Sequence, residues 1–150
     1  MAKWSIPVPT FVGHMESYLE QAVEAITLEL FIRLVPRSPV DQGRFMASWL
    51  IAYDDWPGGV AVDFGPSVKD GGDRESNTGA AYHEAMKQVS KISNYRLGQT
   101  IFIANNISYG PDLEAGSSTQ APHGMVRITA EEFPQICQIA VRKLNSGNRR

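Results

Sequence analysis

The chain has 150 residues, 43% of them hydrophobic and 20% charged, with a formal net charge of −2. Those proportions fit one compact globular domain and exclude gross disorder, and the slightly acidic balance excludes a domain whose main work is gripping nucleic acid through a broad basic surface. A single cysteine, Cys137, allows no internal disulfide, and no apolar run approaches the roughly 18 residues of a membrane-spanning helix.

The opening MAKWSIPVPTFVG lacks the continuous apolar core of a secretion signal. Residues 1–12 read as an extended arm, because Pro7 and Pro9 remove backbone donors and bias their predecessors away from helix. Trp4, Ile6, Val8 and Phe11 are too apolar for a freely solvated tail. The arm therefore docks on its own domain or on a neighbouring subunit, and the sequence leaves these two equal. From 14 to 35 the spacing turns helical. Met15, Tyr18, Leu19, Ala22, Val23, Ile26, Leu30 and Leu34 form one stripe, with Ala25, Leu28, Ile32 and Val35 beside it. Pro36 and Pro39 end the helix.

Residues 37–43, RSPVDQG, read as a turn closed by a permissive glycine. Residues 45–54 read as a strand of imperfect alternation, WPGG as a turn, and VAVDFG (60–65) as a second strand, so that the pair suggests an antiparallel hairpin. The polar stretch 66–79 has no periodicity and is expected to be a mobile surface loop. A short helix follows over 80–92, then a strand over 99–106. After Pro122 one helix is expected from 123 to 144, bent at Pro134, although Thr129 to Glu132 also matches a capping box that would start a separate helix. Residues 145–150 are expected to be a frayed tail. The order α–β–β–α–β–α describes a single α+β domain over 1–150. In it a long N-terminal and a long C-terminal helix cover a small, mainly antiparallel sheet.

Reactive groups do not cluster. His14, His83 and His123 are isolated from one another and from Cys137, which sits among Ile136, Ile139 and Ala140 as a small hydrophobe would. No phosphate loop or GxSxG elbow occurs. Asp41 precedes a residue pair ending in glycine and Asp112 follows a proline, so turn formation accounts for both. Ser117, Ser118 and Thr119 lack an evident histidine base. No catalytic, cofactor or metal site is expected. Two alternatives are set against that reading: a small hydrolase using Asp41, Glu114 and His123, and a DNA-binding accessory protein using Arg142, Lys143, Arg149 and Arg150.

Two stretches carry a resemblance. SPVDQGRFMASW (38–49) and NNISYGPDLEAGSSTQAPHGMVRIT (105–129) resemble, in order and spacing, the paired signatures of a family of phage neck or tail-completion proteins. Gln42 departs from the family's usual threonine, which weakens a side-chain role there and leaves the turn intact. The resemblance implies a non-enzymatic subunit of the head–tail junction of long-tailed double-stranded DNA phages. Such a subunit would be made in the host cytoplasm and incorporated into the virion, away from any membrane. It implies a homo-oligomeric ring, six-fold favoured with twelve-fold the alternative. The ring would lie between head-completion and tail-terminator or tail-tube proteins, with genomic DNA passing through the lumen. It also implies motif or interface roles for Pro39, Asp41, Gly43 and Arg44 in the first stretch. In the second these fall on Tyr109, Leu113, Glu114, Gly116, Ser117, Ser118, Gln120, Pro122, Gly124, Met125 and Arg127. Tyr109 and Leu113 are expected in the core, with residues 117–120 presented outward.

Overall fold

The protein is α+β; a computed structural model describes residues 5–147. Trp4 of the arm and Arg149 and Arg150 of the tail lie outside the described residues. Helix α1 (Val8–Leu34) runs for 27 residues, about 40 Å at the usual helical rise. It starts inside the segment expected to be an extended arm. Pro7 is its N-cap and Pro9 falls in the first turn, where a backbone N–H has no intrahelical partner to lose, so the two prolines start this helix. Phe11 N–H already donates to the Pro7 carbonyl at 3.0 Å.

The region read as a first strand divides. Gly43, at φ +89°, turns the chain into a single helical turn, α2 (Arg44–Ala47), whose Phe45, Met46 and Ala47 are all buried. Strand β1 (Trp49–Tyr53) follows. A short apolar run buried on every side has no readable period, which is why it passed for strand. The expected hairpin does not form. Residues 60–65 form no strand, and β1 pairs antiparallel with β2 (Ile101–Asn105), from Trp49 opposite Asn105 to Tyr53 opposite Ile101. This long-range pair is locked at one end. Asp54 donates its N–H to the Thr100 carbonyl at 2.8 Å, and its carboxylate accepts from Thr100 N–H and the Gln99 amide. The register also sets Ile51 against Ile103, a β-branched cross-strand pair.

The polar stretch is more ordered than a patternless loop. A 3-10 turn (Val68–Asp70) leads to α3 (Arg74–Met86), which starts six residues earlier than its apolar pattern indicates. Asp73 caps it by accepting from Glu75 N–H at 3.0 Å and from the Ser76 hydroxyl. A 3-10 segment (Lys87–Asn94) takes the place of the last turns expected of that helix. Beyond β2 come α4 (Gly110–Glu114), α5 (Val126–Glu131) and α6 (Phe133–Gly147). The expected single bent helix is broken between α5 and α6, because Pro134 cannot donate back into the preceding turn. Thr129 is not the cap: its hydroxyl donates to the Met125 carbonyl and accepts from Arg37. Residues 145–147, expected to fray, complete α6.

The two long helices cover the sheet side as expected. α6 runs back along α1: Glu132 meets Arg33 and Arg37, Lys143 pairs with the buried Glu29, and Asn145 accepts from the Tyr18 hydroxyl at 3.0 Å. Phe31, Val35, Ile51 and Met125 are fully buried in one core, and Ile136 is fully buried on α6. Burying side chains of this size stabilises the fold by about 1.5–3 kcal/mol each before entropy is counted.

Candidate functional site

The two signature stretches, some sixty residues apart in sequence, fold together around one cleft of about 690 Å³. Residues 39–45 form one wall and Tyr109, Leu113 and residues 117–120 the other; Asp63, Lys69 and Arg74 complete the rim. The tie between the walls is Gln120. Its side-chain amide accepts from Val40 N–H and donates to the Val40 carbonyl, both at 3.0 Å, as a neighbouring strand would. Gln120 is exposed, as expected, and its amide is spent on this internal tie. Pro39 and Val40 are buried beneath it, while Ser117 and Thr119 face solvent. Ser118 is half-buried and accepts from Gln120 N–H.

Asp41 anchors the rim. Its carboxylate accepts from the Ser67 hydroxyl at 2.8 and 2.9 Å and from Val68 N–H at 2.7 Å, and its carbonyl accepts from the buried Asn77 amide. Arg44 donates through Nε to the Ala61 carbonyl at 3.2 Å. Phe45 fills the floor, and Tyr109 lies against it with ring centroids 6.0 Å apart. Tyr109 is 41% exposed, so of the two residues expected in the core Leu113 packs there half-buried, while Tyr109 only lays its ring against Phe45. Partial burial pushes the Tyr109 phenol above its usual pKa; the Arg44 charge opposes this, and Asp63 and Asp41 add to it.

Below the cleft, Glu114 organises the start of α5. Its carboxylate accepts from the backbone N–H groups of Met125 (2.8 Å), Val126 (2.9 Å) and Arg127 (2.9 Å), satisfying donors that a helix start leaves without intrahelical partners. Partial burial raises its pKa, but these three donors and the Arg127 charge outweigh it and hold the carboxyl below its ordinary value. Two glycines permit this close approach. Gly124 has φ +79°, and a Cβ there would meet the Glu114 carbonyl and carboxylate at 2.6 Å; Gly116, at φ +90°, abuts the Pro122 carbonyl. Arg127 returns Nη2 to the His123 carbonyl at 3.0 Å, and Met125 is 1% exposed.

The structure does not bring Asp41, Glu114 and His123 to one place. Asp41 lines the large cleft, Glu114 a groove of about 260 Å³ near Trp56, and His123 a depression of about 140 Å³ beside Arg37. Of the basic residues set against DNA, Arg142 is exposed on α6 and Lys143 is engaged with Glu29. Cys137 is half-buried on α6. Among the described residues no group of three His, Cys, Asp or Glu is placed to hold a metal, and no helix is long and apolar enough to cross a membrane.

Sequence reasoning missed Ser67, Lys69, Arg74 and Asn77, all within the stretch read as loop. The signal that could have placed them was Asp73 with Ser76 three residues on, an N-cap pattern ahead of the alanines. Compared with protein-family models, with curated proteins and with solved structures, the chain finds no match.

Proposed function

We propose that this chain is a structural subunit of a phage head–tail junction that acts by assembling into a ring, without catalysing a reaction. What supports the reading is that the two stretches resembling the neck and tail-completion signatures meet across one cleft, with their polar side chains spent on holding backbone. Asp41 ties down residues 67 and 68, Gln120 zips residue 40 to the opposite wall, and Glu114 seats α5. A surface whose shape is held this way suits recognition by shape. The ring is six-fold on this reading, with twelve-fold the alternative. It stands between head-completion and tail-terminator or tail-tube proteins in the virion neck, assembled in the host cytoplasm, with genomic DNA passing through its lumen. The chain's net charge of −2 suits a channel that must let phosphates slide.

The test is the mass of the purified protein by light scattering, alone and with head or tail particles that lack it. A discrete ring, or a monomer that joins those particles and restores head–tail joining, is the expected result. A stable monomer that ignores both particles refutes the proposal.

A further inference from the structure

The largest set of exposed apolar side chains lies at the start of α1. α6 ends near Tyr18, and the turns of α1 before that point continue beyond it. Val8, Val12, Met15 and Leu19, spaced four, three and four apart, are exposed along one face, Val8 at 61%. The same spacing continues through Ala22, which is buried, and Ile26, which is half-buried, so the ridge runs on from a face that is covered further along the helix. Glu16 is exposed on the flank of this ridge, and residues 5–32 contain no lysine or arginine.

At the other end of α1 lies the cleft, whose wall begins at Pro39, five residues after the helix ends. Its floor is apolar, with Phe45 and Leu113 and the exposed ring of Tyr109. Its rim carries Arg44, Lys69 and Arg74, none in an ion pair among the described residues, against Asp41 and Asp63. Three cations face two carboxylates there, so the rim carries one net positive charge. Ridge and cleft thus carry opposite charge, and each offers apolar side chains to a partner. A helix of about 40 Å separates them, so they cannot meet within one molecule.

We infer that the occupant of the cleft is a second copy of this chain, which inserts the first turns of its α1 with Val8, Val12, Met15 and Leu19 as anchors and Glu16 toward Lys69 and Arg74. Anchors at such spacings are how a helix is read by a groove. Because the two surfaces differ, the contact is head-to-tail and repeats from copy to copy, closing into a ring where the rotation allows. This inference rests on the ring reading and names its contact.

The experiment is native mass spectrometry with light scattering over a concentration series. The chains are wild type, Glu16→Arg, the pair Lys69→Glu with Arg74→Glu, and all three changes together. Each substituted side chain is exposed, and an acid at position 74 favours the start of α3, so circular dichroism and melting serve to show folding unchanged. Each set alone is expected to weaken self-association by about tenfold or more, and the combined variant to recover it. Unchanged association in both sets, or weakening with no recovery in the combined variant, overturns the contact. So does a wild-type chain that stays monomeric to about 1 mM. If Glu16→Arg still restores head–tail joining as wild type does, the contact falls and the ring reading stands. If wild type is a stable monomer that also fails to join particles, the ring reading falls.

Discussion

Replacing Glu114 with alanine strips three acceptor contacts from the start of α5 at once, at 2.8, 2.9 and 2.9 Å. Val126 and Arg127 are exposed, so their N–H groups regain water and that part of the loss is screened. Met125 is 1% exposed and its N–H has no such refuge. An ordinary N-cap loss is about 1 kcal/mol, and stranding a buried donor adds about 1–2 kcal/mol, giving about 2–3 kcal/mol for Glu114→Ala. Glu114→Gln keeps an acceptor oxygen and is expected to cost about 1 kcal/mol. Urea unfolding at pH 7 reads this as a midpoint lowered by about 1 M for the alanine variant. The pH dependence provides a second check. The folded pKa of Glu114 lies below its ordinary value of 4.5, so its contribution is complete above pH 4.5 and is lost as pH falls through the folded pKa. The gap between wild type and Glu114→Ala should therefore be full at pH 7 and narrow steadily below pH 4.5. A gap under about 0.5 kcal/mol at pH 7, or one that stays constant to pH 3, refutes the capping argument.

Gly124→Ala places a methyl against the Glu114 carbonyl at a backbone angle of +79°, and is expected to destabilise by about 2 kcal/mol or more in the same urea assay. Gln120→Ala strands the buried Val40 N–H and carbonyl and should cost about 1–3 kcal/mol, with faster amide hydrogen exchange at residue 40 as its local mark. Trp49→Phe removes the indole donor that reaches the Ser38 hydroxyl at 2.7 Å inside the core, and a melting point lowered by about 2–8 °C checks it.

The long helices were readable because their signal is local. The stripe through Ala22, Ile26 and Leu30 repeats within each turn, whatever lies opposite. The turn glycines were readable for a similar reason: Gly43, Gly116 and Gly124 occupy backbone angles that other residues rarely adopt. Reading failed where neighbours in the chain compete with partners far away. The valines of 60–65 have strand character, and a hairpin with β1 was the nearest choice. The isoleucines of β2 won that pairing, with Asp54 closing the end. Pro7 and Pro9 were read as holding residues 1–12 extended, whereas they begin a helix, because a proline's effect depends on which turn it falls in.

From residues 38–49 and 105–129 alone came two turns, their glycines and a resemblance, while the α+β class followed from the order of periodic segments. That the two turns form a single cleft, that Gln120 bridges to Val40 across eighty residues, and that Lys69 and Arg74 join them emerged only in the folded chain. Periodicity and backbone angle are set between residues within a few positions of one another, so they are written in consecutive letters. Which distant segments pair depends on the apolar area and polar satisfaction each competing arrangement gains across the whole molecule.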